Sequence, residues 1–138
     1  MIKILIIEDD ATIVKNLSEL LRQEGFAIDS ALNCKEAENK IETKQFDLVL
    51  LDVLLPDGNG FSLCKKIKSV TAYPVIFLTA SADEFSVVTG LDIGADDYIE
   101  KPYRPRELIS RIKSVLRRTG KSQSVLTLGN VSVDMDKG

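Results

Sequence analysis

The chain has 138 residues, is 44% hydrophobic and 28% charged, and carries a net charge of −3. That length and balance point to one compact domain plus a tail, and no run approaches the roughly 20 apolar residues of a membrane span. Histidine is absent, and Cys34 and Cys64 form no Cys-x-x-Cys pair, which argues against a soft-metal site or a thiol–imidazole nucleophile.

The first apolar run begins at Ile2, leaving no room for a signal peptide, so a cytoplasmic protein with no membrane partner is expected. Short apolar runs bounded by turn residues predict strands near 3–7, 27–31, 47–51, 74–78 and 97–100. Helical patterns fill the gaps. Ile13, Val14, Leu17, Leu20 and Leu21 mark the first, with Gly25 as its stop. Ala37 and Ile41 mark a weaker second helix over about 33–43. Pro56-Asp57-Gly58-Asn59-Gly60 is a turn cluster that supplies flexible backbone and leads into a third helix with Phe61, Leu63, Cys64 and Ile67. The fourth helix starts at a cap, Asp83, and shows Val87, Val88 and Leu91. The fifth has Pro105 at its start and Leu108, Ile109, Ile112, Val115 and Leu116 on one face. Five successive βα units argue for a doubly wound parallel α/β sheet.

Charge is unevenly placed. Residues 101–121 carry eight basic side chains and one acid, a local charge of +7 against −10 for the rest. A solvated helix face whose terminal cations suit the helix dipole explains this better than a nucleic-acid surface. Beyond Arg118, residues 119–124 are small and polar, and Val125–Val133 alternates like a hairpin around Gly129-Asn130.

The chemistry gathers at the ends of the apolar runs. Glu8, Asp9 and Asp10 follow the first, Asp52 the third, Thr79 the fourth and Lys101 the fifth. In an open parallel sheet the carboxyl ends of the strands form the binding crevice. Clustered carboxylates repel unless a cation joins them, and an all-oxygen set selects Mg²⁺, Mn²⁺ or Ca²⁺. Asp10 suits a helix cap. Asp52, ending the strand expected near the sheet centre, is the best nucleophile toward phosphorus. Lys101 can pair with phosphate, and Thr79 can donate a hydroxyl to it. Pro102 allows a cis bond that would aim Lys101 back over the crevice.

These residues resemble the receiver domain of two-component response regulators over residues 2–119. The motifs are Ile-Leu-Ile-Ile-Glu-Asp-Asp, Leu-Leu-Asp-Val-Leu-Leu-Pro-Asp-Gly-Asn-Gly, Phe-Leu-Thr-Ala and Gly-Ala-Asp-Asp-Tyr-Ile-Glu-Lys-Pro-Tyr. The resemblance implies a flavodoxin-like (βα)₅ fold with strand order 2-1-3-4-5. It implies that Asp52 is the phosphoacceptor, and that Asp9, Asp52 and the Leu54 carbonyl bind Mg²⁺, with Glu8 acting through water. Thr79, its neighbour Ala80 and Lys101 would contact the phosphoryl group, and Thr79 and Tyr98 would form a switch pair. The phosphoryl donor would be a sensor histidine kinase. No enzyme activity is implied beyond the domain's own phosphorylation and dephosphorylation.

The fifth helix, and Leu126-Thr127-Leu128-Gly129-Asn130-Val131-Ser132-Val133-Asp134, resemble the winged-helix transcription-factor branch of OmpR/PhoB type. The implied layout is a receiver at 1–119, a linker at 120–124 and, at 125–138, the start of a truncated DNA-binding effector domain. DNA would then be contacted only through the missing part. That branch forms homodimers through the fourth helix, fifth strand and fifth helix. Val87, Leu91, Asp96, Asp97, Glu107, Arg111 and Arg118 would lie on that face, with Asp97–Arg111 and Asp96–Arg118 as intersubunit ion pairs. Ser86 and Val87 stand where the branch has an Asp followed by a cation, so Glu107 would lack its usual partner. Three other readings fit these residues less well. A haloacid-dehalogenase-type phosphatase wants a second Asp where Leu54 stands. An FMN carrier would be repelled by Glu8-Asp9-Asp10. A non-phosphorylated interaction module remains as the alternative.

Overall fold

The computed structural model describes residues 1–80 and 92–120. The predicted fourth helix with Val87 and Leu91, and residues 121–138, lie outside them. Five strands form one parallel sheet: β1 (Lys3–Ile7), β2 (Ala27–Ala31), β3 (Leu48–Asp52), β4 (Val75–Thr79) and β5 (Asp97–Glu100). Their order is β2-β1-β3-β4-β5, as expected, and every pair is parallel. β3 is therefore the central strand. It starts one residue later than predicted because Asp47 turns back onto β1, where its carboxylate accepts the Lys3 N–H at 2.8 Å.

Alternate residues of each strand enter two separate cores. On one face, Leu5, Ile7, Val49, Leu51, Val75 and Phe77 pack against α2 (Cys34–Thr43) and α3 (Gly60–Val70). On the other, Ile4, Ile6, Leu48, Leu50, Ile76 and Leu78 pack against α1 (Ala11–Gln23) and the last helix, Pro105–Arg118. Burial on both faces is why the strands read as unbroken apolar runs. Each fully buried Leu or Ile contributes about 1.5–3 kcal/mol of transfer free energy.

The helix ends follow the local chemistry. Asp10 caps α1 by accepting the Thr12 and Ile13 N–H groups. Gly25 then adopts φ 93°, and its N–H closes on the Arg22 carbonyl at 3.0 Å. Pro105 opens the last helix without needing a donor, and Leu108, Ile112, Val115 and Leu116 are buried along it. No helix among the described residues is long and apolar enough to cross a membrane.

Candidate functional site

Register brings the polar stations level with one another. Ile7 of β1 faces Leu51 of β3, so Glu8 and Asp52 sit side by side one step further on. Asp52 faces Leu78 of β4, and Thr79 faces Glu100 of β5, which puts Lys101 just beyond. Backbone bonds hold these ends in place: Glu8 N–H to the Ala31 carbonyl at 3.0 Å, Val53 N–H to Leu78 at 3.3 Å, and Lys101 N–H to Thr79 at 2.7 Å.

The side chains converge as expected. One carboxylate oxygen each from Glu8, Asp9 and Asp52 lies within 4.8 Å of the others. Glu8 and Asp52 are buried, whereas Asp9 is exposed to incoming solutes. Asp10 stands apart as the α1 cap, as its sequence position suggested. The Lys101–Pro102 bond is cis. Lys101 Nζ donates to Glu8 Oε1 at 2.7 Å and lies 3.5 Å from Asp52 Oδ2. This Glu8 pairing is new relative to the sequence, in which Lys101 had no partner before phosphate arrived.

Burial pushes the Glu8 carboxyl above its ordinary value, and Asp52 beside it adds to the rise, while Lys101 opposes it. Burial pulls the Lys101 ammonium down, but the Glu8 hydrogen bond and the Asp52 charge outweigh it and hold it above its ordinary value. Glu8 and Asp52 thus share one cation, Lys101, with Asp9 close by.

Thr79 is fully buried at the end of β4, with Ala80 exposed beside it. Tyr98 is half-buried and packs on the α3 side of the sheet. The loop after Asp52 is not the flexible turn that its glycines suggested. Leu54–Leu55 pairs antiparallel with Gly58–Asn59, Asn59 caps α3 through the Ser62 N–H, and Gly60 N–H bonds the Val53 carbonyl at 2.6 Å. Gly60 is required there, because a Cβ would overlap the carbonyl oxygen of Asp52 and crowd Phe77. Asp57 reaches across to α2, a contact that the sequence did not reveal.

The charges assigned to a dimer face pair within one chain. Arg111 Nη1 donates to both Asp97 oxygens, at 2.9 and 3.1 Å, and Arg111 Nη2 reaches Glu107 at 3.2 Å. Glu107 is thereby paired within its own chain. The Asp96 carboxylate accepts from Lys68 Nζ at 2.9 Å and from Val75 N–H at 2.8 Å, and Arg118 bonds its carbonyl at 3.0 Å.

A doubly wound parallel sheet with acids, a hydroxyl and a lysine at the carboxyl ends of its strands defines a crevice-binding α/β domain of the CheY-like class. The chain belongs to the response regulator receiver domain family, whose model matches residues 4–113. It is 38% identical to the transcriptional regulatory protein ResD of Bacillus subtilis over 97% of this chain and 60% of that protein. It is 40% identical to the sensory transduction protein RegX3 of Mycobacterium tuberculosis over 99% of this chain and 63% of that one. Among solved structures, DrrB, a Thermotoga maritima OmpR/PhoB homolog, superposes with a TM-score of 0.78 at 39% identity, covering 86% of this chain and 54% of DrrB. The chain spans about 60% of the length of these curated relatives. As a receiver it is homologous to phosphorylatable response regulators of two-component systems, and a purely non-phosphorylated role is not favoured.

Proposed function

We propose that this chain is the Mg²⁺-dependent phosphoacceptor of a two-component pathway, with Asp52 as the acceptor. The observation that carries this is the crevice itself: three carboxylates within 4.8 Å of one another, with Lys101 Nζ 2.7 Å from Glu8 and 3.5 Å from Asp52. The donor set fits Mg²⁺, since hard oxygen ligands and an unbalanced negative charge are what that ion seeks. Asp9, Asp52 and the Leu54 carbonyl would hold it, with Glu8 acting through water. When bound, it supplies charge neutralisation to the oxygens of the transferring phosphoryl group.

An Asp52 oxygen attacks the phosphorus of a sensor kinase's phosphohistidine. A P–O bond forms as the P–N bond breaks, leaving an acyl phosphate and a free imidazole. Lys101 exchanges part of its contact with Glu8 for the new phosphoryl oxygens, as a compact point charge. The Thr79 hydroxyl and the Ala80 backbone complete the phosphate contacts. Movement of Thr79 toward the phosphate lets the Tyr98 ring turn inward, a population shift biased by new charge-assisted bonds. Hydrolysis of the acyl phosphate within the same site resets it. The domain needs no other enzymatic activity.

The output we infer is transcriptional, as the name of ResD and the OmpR/PhoB homology of DrrB suggest. Residues 1–119 form the receiver, 120–124 the linker and 125–138 the start of a DNA-binding effector. Phosphorylation favours a homodimer through the fourth helix (with Val87 and Leu91), β5 and the last helix. Asp97, Glu107 and Arg111 would trade their internal pairs for intersubunit ones, fixing register rather than adding much affinity. The cell interior, where sensor kinases present their phosphohistidine, is its expected location. Intact mass after incubation with acetyl phosphate, with and without Mg²⁺, tests the core of this reading. One Mg²⁺-dependent phosphoryl adduct supports it, and a folded chain with no adduct refutes it.

A further inference from the structure

The first turn of α2 is capped from outside. A helix leaves its first N–H groups without internal partners. Here the Asn33 side chain takes the Glu36 N–H, and its carbonyl takes the Ala37 N–H. The Cys34 and Lys35 N–H groups go instead to the two oxygens of Asp57, at 2.7 and 3.1 Å. Those hydrogen bonds, the Cys34 one first, hold the Asp57 carboxyl below its ordinary value although it is fully exposed. A carboxylate is also the group that the positive end of the helix dipole favours.

Asp57 sits at the tip of the loop that follows Asp52, between the two strands of the short ladder. The outgoing strand is anchored by buried Leu55, but Leu54 is 59% exposed, and the return residues Gly58 and Asn59 put nothing into the core. A ladder of two residues against two does not hold itself. Its return side is fixed by Asn59 capping α3 and by the Gly60 N–H on the Val53 carbonyl, and its tip by Asp57 capping α2. Gly58 also lies so close to α2 that a Cβ would come within 3.2 Å of Cys34 Sγ. The chain of contacts therefore runs from the α2 N-terminus through Asp57 and the ladder to Leu54, whose N–H reaches Asp52 Oδ1 at 3.4 Å.

We propose that Asp57 is a positioning residue for the metal site: by clamping the 53–60 loop to α2, it holds the Leu54 carbonyl where the cation needs it. This rests on the reading of Glu8, Asp9, Asp52 and Leu54 as the Mg²⁺ ligands. Partners that orient metal ligands typically change affinity by roughly 10–100-fold when removed. Asp57 acts through a backbone carbonyl, so a loss near the lower end, about tenfold, is expected.

Calorimetric Mg²⁺ titration of wild type, Asp57→Ala, Asp57→Asn and Asn33→Ala separates the possibilities. Asp57→Ala is expected to weaken Mg²⁺ binding about tenfold, and Asp57→Asn, which keeps an acceptor oxygen, to recover part of it. Asn33→Ala also removes a cap from α2 but leaves the loop attached, so its Mg²⁺ affinity should stay at the wild-type value. Equal affinity in Asp57→Ala and wild type overturns the proposal, as does an equal loss in Asn33→Ala. A wild-type chain that binds no Mg²⁺ overturns the reading of the site itself, which is a different result. Linkage supplies a check needing no variant: if the clamp favours Mg²⁺, then Mg²⁺ must favour the clamp by the same factor. Amide exchange at Cys34 and Lys35 is therefore expected to slow on Mg²⁺ saturation, and unchanged exchange refutes the coupling.

Discussion

Among the described residues, two carboxylate–ammonium clusters are built from the same parts with opposite results. In the first, Asp29 on edge strand β2 takes Lys40 Nζ at 2.7 Å, Lys44 Nζ at 3.0 Å and the Ser30 N–H at 2.8 Å. Burial raises the Asp29 pKa, but the two lysines and the Ser30 N–H prevail and hold its carboxyl far below the usual range. In the second, Glu8 and Asp52 share one lysine, and Glu8 is pushed up instead. The difference lies in stoichiometry and shielding. One acid with two cations, beside water, is a closed structural clasp. Several acids with one cation, at the end of buried strands, form a cluster that is still short of positive charge.

The most drastic way to break the contrast is to remove the acid on which the crevice is centred. Asp52→Asn is expected to abolish the phosphoryl adduct seen by intact mass with acetyl phosphate and Mg²⁺, and undiminished labelling would move the acceptor elsewhere. Lys101→Met strips the crevice of its lysine. Removing one partner of a fully buried pair costs about 3–5 kcal/mol. Lys101 is about a quarter exposed, so roughly 2 kcal/mol is expected in urea unfolding. Saturating Mg²⁺ should then raise the melting temperature more in the variant than in wild type, because the cation replaces a missing charge. An equal rise in both would show that lysine and metal are not alternatives.

Asp29→Asn probes the closed clasp and should cost about 1 kcal/mol at neutral pH. The sign follows from its lowered folded-state pKa. The stabilisation is complete above the ordinary carboxylate value and is lost as pH falls from there toward the folded value. The stability gap between wild type and Asp29→Asn should therefore be flat from about pH 5 to 8, begin to narrow below about pH 4 and go on shrinking as pH falls toward the folded value. A gap as large at the lowest pH where the chain stays folded as it is at pH 7 would mean that packing, not charge, is responsible. The smallest effect belongs to Lys66–Glu38, an exposed pair at 2.8 Å between α2 and α3. Lys66→Ala should leave the urea-unfolding midpoint close to wild type, and any small shift should fade in high salt.

What the sequence made legible was what local chemistry dictates. Unbroken apolar runs such as Val75–Leu78 announced buried strands, and Asp10, Gly25 and Pro105 marked helix ends that the structure realises. The strand-end rule then placed Glu8, Asp9, Asp52, Thr79 and Lys101 on one edge. Long-range pairing was not legible. Arg111 suited a partner chain on sequence grounds, yet it reaches Asp97 in its own chain. Asp57 read as an ordinary turn residue, because the amides it satisfies lie 22 and 23 positions away and leave no periodic trace. Gly60 read as flexibility, whereas it is required by the close approach of the Asp52 backbone.

The Lys101–Glu8 contact joins residues 93 positions apart, on strands that are not neighbours in the sheet. It cannot form until β5 has docked, and β5 is the last strand of the five-stranded sheet to be synthesised. A nascent chain that has made β1, β3 and β4 already owns its three acids but has no counter-charge among them. The lysine of the crevice is thereby supplied only once the five-stranded sheet is complete, so a half-made sheet holds the acids without it.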